Sequence, residues 1–389
     1  MRPEMANIFS CPYCGSQLEA RPIKVVKINY PSEKLAHTEI KEGTLQCKTC
    51  GAIFKIKNHI PSFTHPDIVH SAVVRDGIYW GRYYRTLYEY GILNFVDIRQ
   101  PFAPFYRYGI LDKLSWQERM KFKKLNMKNM RILQNDEFDM LINDKVIDEN
   151  LSKGSNVLEI GCGSGWLCLE LKRKGFNVIG LDPSFQSLKI AKQYAISKGF
   201  YIEYIQADAT LPIFQSGIFE GVFAFHSLHH VQNLHQVTLN IKKWLKKGGL
   251  ISLYEHRYDS SLLQTAKRLG YLAFFPWLLA RYKHSGKLLS SFMALAIEKS
   301  PMEDASIDMI NDITKSFYTF RRILHLRILD DVPCLIYFIF QRNKHLLENC
   351  AKIIDSLQGR FKTLFPQKTN FVLYVGLETK NSKYVASPT

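Results

Sequence analysis

The 389-residue chain has little that would take it out of the ordinary globular class. No secretory leader and no disulfide framework stand out among its eight cysteines, so a reducing cytoplasm is the expected compartment. The apolar runs Gly270–Ala280 and Pro333–Phe340 fall well short of the roughly 20 residues a spanning helix needs, and Pro276 breaks the first. That excludes a transmembrane helix and leaves peripheral contact with a membrane open. Internal repeats and low-complexity tracts are also missing, which excludes a repeat architecture. There is no dense block of like charge, Lys121–Lys124 being the nearest to one. The excess of 52 Lys and Arg over 35 Asp and Glu, a net charge of +17, is spread along the chain. Such a balance suits a nucleic acid, an acidic lipid surface or an anionic substrate, and equally a solvated basic surface.

What is present is a chain long enough for two or three domains, with 46% hydrophobic residues to fill them. Its most informative stretch is Val157-Leu158-Glu159-Ile160-Gly161-Cys162-Gly163-Ser164-Gly165-Trp166. This predicts a buried strand ending in an acidic residue, then a glycine turn opening a helix, where backbone N–H groups approach a small ligand. The spacing differs from the Gly-x-Gly-x-x-Gly turn that cradles a pyrophosphate. Alone, it also fits an ordinary strand-to-helix turn. Further strands are predicted at Asn177–Asp182, Glu203–Ala209, Gly221–His226 and Leu250–His256, with helices such as Ser187–Lys198 and Leu234–Lys246 between them. Alternation of apolar strands with helices predicts a doubly wound, mostly parallel α/β sheet. Glu159, Asp182, Asp208, His226 and Glu255 then fall together at the carboxyl edge, where such sheets bind ligands.

From about Asn150 to His256 the chain resembles the class I S-adenosylmethionine-dependent methyltransferases. The run Asp208–Phe214, the stretch Gly217–Val231 and the tail Leu245-Lys246-Lys247-Gly248-Gly249-Leu250-Ile251 are similar to the small-molecule and quinone-type branch. Two departures stand out: Glu220 where the branch has Asp, and Lys247 where it has Pro. The resemblance implies a Rossmann-like sheet of seven strands that binds S-adenosylmethionine. It implies Glu159 near the ammonium of the methionine tail and the backbone of Gly161, Gly163 and Gly165 along that tail. Asp182, followed by Pro183, would accept hydrogen bonds from the ribose hydroxyls, which suits a carboxylate with two oxygens. Asp208 would accept from the adenine amino group, and the Ala209 N–H would donate to the ring. His226 stands where the acceptor meets the methyl group. His226, His230 and His256 are candidate general bases, since methyl transfer needs mainly positioning and, for some acceptors, a proton acceptor. The Leu228-His229-His230-Val231 run reads equally well as a structural helix start.

Ahead of this lie two Cys-x-x-Cys knuckles, Cys11/Cys14 and Cys47/Cys50, each able to hold two corners of a tetrahedron. Zinc is the expected metal; a redox dithiol would need only one pair. With the sequel Ala52–Phe63 they resemble the small zinc-ribbon activator subunit of tRNA and protein methyltransferases, which implies a structural zinc. A metal would offset the weak core of so small a domain. Cys162, Cys168, Cys334 and Cys350 have no ligand spacing and are expected to be buried.

The expected organisation is a zinc ribbon over 1–65, an aromatic linker and helical cap over 66–149, a cofactor-binding core over 150–258, a helical insertion over 259–358 and a closing hairpin over 359–380. Arginines interleave with Tyr79, Trp80, Tyr84 and Tyr88, a pattern that suits base stacking, a lid over an apolar acceptor, or plain packing. Ser115–Glu118 reads as a capping box. The final hairpin is expected from Gly359–Phe365 and Asn370–Thr379, with a loose tail after it. Two function classes stand: a methyltransferase for a small or lipid-like organic acceptor, and an RNA methyltransferase with the ribbon as recognition module. Ribosomal-RNA guanine methyltransferases also carry a zinc module, but with knuckles much closer together than Cys14 and Cys47. A degenerate scaffold is disfavoured by the intact Glu159, Asp182 and Asp208.

Overall fold

The computed structural model describes residues 1–64, 71–89, 145–231, 233–256, 313–325 and 371–378. The capping box at Ser115–Glu118, most of the 259–358 stretch, Gly359–Phe365 and the C-terminal tail lie outside the described residues.

The N-terminal unit is an antiparallel sheet of β1 (Leu18–Tyr30), β2 (Leu35–Cys47), β3 (Ile53–Lys57) and β4 (Ile60–Pro61), in that order. Its own core is thin. On β1 only Leu18 and Tyr30 are buried, and β3 turns just Phe54 and Ile56 inward. So small a sheet cannot bury enough apolar surface alone, and its aromatic residues continue into the next unit. Phe63 packs on Phe54 and Phe9, with ring centroids 4.9 and 5.3 Å apart; Phe9 stacks on Phe214 at 5.8 Å, and Phe214 meets Trp244 edge-on at 5.1 Å. Backbone bonds stitch the same seam: Ser10 N–H to Ile213 O, Gln215 N–H to Ile8 O and Phe63 N–H to Gln206 O, all 2.8–3.0 Å.

The seam also buries charge. Lys192, 3% exposed, donates to Glu39 Oε2 at 2.9 Å and to Ile202 O at 3.1 Å, and the Met1 ammonium reaches Glu39 at 3.1 Å. A lysine is almost never buried this deeply without a partner. Burial works against the Glu39 carboxylate; the bond from His59, the Lys192 charge and the Met1 ammonium outweigh it and hold its pKa well below the usual range.

The larger unit is a sheet of seven described strands ordered β10 (Tyr318–His325), β11 (Phe371–Leu377), then β9, β8, β5, β6 and β7. Its parallel part is β5 (Asn156–Ile160), β6 (Asn177–Asp182), β7 (Glu203–Gln206), β8 (Phe219–Phe225) and β9 (Leu245–His256). The helices of this part are α2 (Lys145–Asn150), α3 (Trp166–Arg173), α4 (Phe185–Ser197) and α5 (Leu234–Trp244). Another helix, α1 (Ser71–Glu89), precedes them and packs on α4. β5 has β6 on one side and β8 on the other, so the strand order reverses there, and a crevice opens beyond the carboxyl ends. The exit of the ribbon extends this sheet: Ser62 bridges in parallel to Gln206 at the end of β7.

One expectation fails. β11 (Phe371–Leu377) runs antiparallel to β9 as foreseen, but its other partner is β10 (Tyr318–His325), inside the stretch expected to be helical. The paired arginines Arg321-Arg322 interrupt the apolar alternation, and the register shifts between Thr319 and Arg321, so the period-two signal of a strand is lost. An edge strand bonded on one side tolerates such a pattern.

A common core has a measurable consequence. Truncating Phe9, which has no exposed surface, is expected to cost about 3–5 kcal/mol and to lower one shared unfolding transition followed by denaturant titration. A ribbon that melts separately, with the larger unit unmoved, would contradict the shared core.

Candidate functional site

The four knuckle thiols converge. Cys11 Sγ lies 3.6 Å from Cys50 Sγ, Cys14 Sγ lies 3.4 Å from Cys47 Sγ, and all four sulfurs fall within 4.8 Å of one another. Zinc–sulfur bonds of about 2.3 Å place the corners of a tetrahedron about 3.8 Å apart, close to this spacing. The knuckle turns are closed by Gly15 N–H to Cys11 O at 2.8 Å and Gly51 N–H to Cys47 O at 3.2 Å, and the Cys50 N–H points at Cys47 Sγ at 3.5 Å. Four thiolates with no open position suit a structural ion.

At the carboxyl edge, a cavity of about 240 Å3 gathers Glu159, Gly161, Gly163, Asp182, Pro183, Asp208, Ala209, His226 and His230. Asp182 organises it. Its Oδ2 accepts from Gly163 N–H and its Oδ1 from Ser184 N–H, both at 2.8 Å, and each oxygen keeps a lone pair for a further donor. Burial raises its pKa to about 6 against the pull of those two bonds, with Asp76 adding to the rise. Glu159 is 2% exposed, and its Oε2 has no hydrogen-bond partner among the described residues. Burial pushes its pKa to about 8, helped by the Asp182 charge. Asp208 Oδ1 accepts from Thr210 N–H at 2.9 Å, and Asn240 of α5 holds the Ala209 carbonyl at 2.9 Å.

The glycine turn is used differently from the expectation. The Gly161 N–H donates to Leu181 O at 2.7 Å, that of Gly163 to Asp182, and that of Gly165 to Cys162 O at 2.8 Å. The amides therefore hold the turn together, and what the turn offers a ligand is the lack of side chains. Gly165 does not line the cavity. A Cβ there would lie 2.4 Å from Tyr204 Oη and 2.8 Å from Ala191 Cβ, so it is a packing glycine between α3, α4 and β7.

The histidines divide. His226 adopts φ +50°, a left-handed conformation that costs energy for a residue with a side chain, and its ring packs on Phe225 and Tyr254 with centroids 4.5 and 5.0 Å away. Burial lowers its pKa to about 3. His229 is buried outside the cavity and bonds through Nδ1 to Glu255 Oε2 at 2.8 Å; Glu255 Oε1 takes the N–H groups of Ser227 and Leu228 at 2.8 and 2.7 Å. His230 reaches the cavity. His256 ends β9, and its side chain lies outside the described residues.

The roof comes from the aromatic segment for which a lid was one of three readings, while its Val73, Asp76 and Gly77 went unread. α1 closes the cavity with Val73, Asp76, Gly77, Trp80 and Tyr84. Gly77 and Gly81, one turn apart, let the helix lie on the turn after β6: a Cβ on Gly77 would stand 3.2 Å from Pro183 O, and one on Gly81 2.8 Å from Ser184 Oγ. The ring of Tyr84 rests against Gly163. That glycine pair is the signal from which the seating of α1 was readable.

A parallel sheet with acids ending successive strands around one cavity is the class I methyltransferase arrangement, and the comparisons agree. Residues 158–253 match the family described as "Methyltransferase domain", and residues 2–58 match "Trm112p-like protein". The ubiquinone biosynthesis O-methyltransferase of Pectobacterium atrosepticum is 32% identical over 120 residues, covering 29% of this chain and 45% of that protein. Its counterpart in Escherichia coli O7:K1 is 33% identical over 97 residues, covering 25% and 40%. The chain thus spans less than half the length of these curated relatives. A solved structure of Haemonchus contortus phosphoethanolamine N-methyltransferase 2 with S-adenosyl-L-methionine has 14% identity, coverage of 97% and 72%, and a TM-score of 0.43. The chain therefore carries a class I S-adenosylmethionine-dependent methyltransferase domain behind a Trm112p-like zinc-ribbon region. The domain implies S-adenosylmethionine, and the four-cysteine cluster suggests structural zinc.

Two measurements follow from these sites. Glu159 is raised from 4.5 to about 8, so its protonated form favours the fold below about pH 4.5 and that contribution is lost as pH rises toward 8. A cationic ligand reverses the preference. Binding of S-adenosylmethionine at pH 7 is expected to release about one proton, seen by calorimetry in buffers of different ionisation enthalpy, and to tighten from pH 6 to 8. Glu159→Gln removes the release and weakens binding about tenfold or more; equal heats in every buffer for the native chain would contradict the assignment. For the ribbon, metal analysis is expected to find about one zinc per chain and its loss, with a lowered melting temperature, in Cys11→Ser. Full retention of zinc would exclude the four-thiolate site.

Proposed function

We propose that this chain transfers a methyl group from S-adenosylmethionine to a small or lipid-like organic acceptor. The observation that carries the reading is the buried Oε2 of Glu159, without a hydrogen-bond partner among the described residues, in a cavity it shares with Asp182 and Asp208. In this reading Glu159 faces the ammonium group, Asp182 the ribose hydroxyls, Asp208 the adenine amino group and the Ala209 N–H the ring. The donor brings an already activated methyl group, so the chain's own task is to orient the acceptor and keep water out.

The cavity walls support an apolar acceptor. Val73, Trp80, Tyr84, Trp166, Phe225 and Val231 are among the residues that line it. The O-methyltransferase relatives of ubiquinone biosynthesis point the same way. The test is incubation of the full chain with methyl-labelled S-adenosylmethionine and a fractionated cell extract. Label is expected in the organic-soluble fraction. Label in RNA would overturn this reading in favour of the ribbon as an RNA-recognition module, and would come with binding that weakens steeply with salt.

A further inference from the structure

We propose that the acceptor is an amine, and that Asp76 of α1 binds its ammonium group while the aromatic row beside Asp76 takes its apolar body. This rests on the methyl-transfer reading above and adds to it the acceptor atom, nitrogen, and the residue that selects it.

The charge of the cavity carries the argument. Glu159, Asp182, Asp208 and Asp76 all line it, and among the described residues no lysine or arginine does. In the reading above the cofactor engages three of these acids through its ammonium, ribose and adenine groups. Asp76, on the roof, is the fourth. Its side chain is 6% exposed, and it stands close enough to Asp182 to oppose a negative charge there. A carboxylate held out of water beside another is costly unless a cation compensates it. His230 does not supply that cation. Its Nδ1 lies 3.7 Å from Asp76 Oδ1, beyond hydrogen-bond range, and burial holds its imidazole well below the usual pKa.

α1 sets the acid and its rings on one face. Asp76, Trp80 and Tyr84 recur every fourth residue, so they follow one another along the side of the helix that closes the cavity. The rings of Trp80 and Tyr84 are 6.0 Å apart with planes 33° from parallel. Trp166 and Phe225, edge-on with centroids 5.1 Å apart, also line the cavity. A carboxylate beside aromatic rings suits an ammonium on an apolar body, which gains both Coulomb attraction and cation–π contact. The same wall repels a carboxylate or a phosphate. α1 precedes residues 158–253, the segment that matches the methyltransferase family, so this selecting wall lies outside that match.

The chemistry of transfer also favours nitrogen here. The bound ammonium first gives one proton to water. The amine lone pair then bonds to the methyl carbon, and the carbon–sulfur electron pair departs with sulfur. Positive charge thus moves from sulfur to nitrogen and stays in the cavity, where the Asp76 carboxylate compensates it. A hydroxyl acceptor would have to shed a proton at the moment of transfer, and the histidines of the cavity are poorly placed to take it. Burial lowers the pKa of His226 to about 3, and the Nε2 of His230 is fully buried.

The test uses the full chain, its Asp76→Asn and Asp76→Glu variants, and three probes with one skeleton: phenethylamine, 2-phenylethanol and phenylacetate. Calorimetry first measures the affinity of each protein for S-adenosylmethionine and S-adenosylhomocysteine. The probes are then titrated into protein saturated with S-adenosylhomocysteine at neutral pH, where phenethylamine is an ammonium ion. The native chain is expected to bind phenethylamine about tenfold or more tightly than 2-phenylethanol, and phenylacetate more weakly than either. Asp76→Asn is expected to bring the amine and the alcohol to about equal affinity, with the alcohol unmoved, and Asp76→Glu to keep the preference. An amine held no better than the alcohol by the native chain overturns the proposal, and failure of all three probes to bind counts as that result. A preference that survives in Asp76→Asn overturns the role of Asp76. A loss in Asp76→Asn confined to S-adenosylmethionine over S-adenosylhomocysteine would put Asp76 on the sulfonium and overturn it as well. Failure of the native chain to bind either nucleoside overturns the methyltransferase reading beneath it.

Discussion

The site depends on one carboxylate bonded to two backbone amides. Asp182 takes the N–H of Gly163 on one oxygen and that of Ser184 on the other, and so ties the end of β6 to the glycine turn after β5. Bonds from a charged acceptor to N–H groups in a dry setting are among the stronger ones a fold can make. Ser184 in turn caps α4 by accepting from Ser187 N–H, and the Pro183 carbonyl accepts from the Gln206 side chain at 3.0 Å. Gly77 and Gly81 of α1 rest on these same two residues. Three elements and the ribbon exit, through Ser62 to Gln206 at 2.7 Å, are therefore referred to one tripeptide, Asp182-Pro183-Ser184. Moving it would move the floor and the roof of the cavity together.

Electrostatics explains what such a cavity is suited to hold. Glu159, Asp182, Asp208 and Asp76 line it within a low-dielectric wall, and Glu159, Asp182 and Asp76 are nearly without exposure. Like charges gathered out of water are costly unless they are neutralised or compensated. The upward shifts of Glu159 and Asp182 express that cost in the ligand-free protein. A ligand bearing an ammonium and a sulfonium, with hydroxyl and amino donors elsewhere, supplies the missing compensation. The histidine side of the cavity is built on the opposite logic. Burial holds the imidazoles of His226 and His230 below their usual pKa, and the acid beside them, Glu255, is spent on backbone amides and on His229.

Much of this was legible in the chain because it rests on local signals. The parallel strands are short continuous apolar runs, and the acids Glu159, Asp182 and Asp208 stand at their ends, so the alternation of strands with helices and a fold rule bring them to one edge. The cysteine quartet was legible because the ligand chemistry dictates its spacing. What escaped depends on approach between distant segments. Asp76 looks like an ordinary helix-surface acid until Gly77 brings α1 down on Pro183. Gly165 belongs to the glycine pattern but is needed for Tyr204 and Ala191, residues far along the chain. The three amides of the turn were read as ligand donors, whereas Leu181, Asp182 and Cys162 use them. β10 was hidden by Arg321-Arg322, because pairing with β11 rather than alternation makes it a strand.

The ribbon gains most from being joined to its partner in one chain. Its sheet encloses few residues, and the aromatic cluster of Phe54, Phe63 and Phe9 is completed across the seam, where Phe9 stacks on Phe214 and Phe214 meets Trp244. Two free proteins would lose translational freedom on forming that seam; a covalent link removes most of this loss and raises the effective concentration of one face for the other. The buried Lys192–Glu39 pair ties the two units: parting them would separate Lys192 from Glu39, which would keep the Met1 ammonium and His59 of its own unit. The seam covers the β7 edge and ends at Gln206, whose side chain holds Pro183. The ribbon is thus packed into the larger unit as much as it is a candidate metal site, and zinc at its four cysteines would hold it folded where its own apolar core is too small to do so.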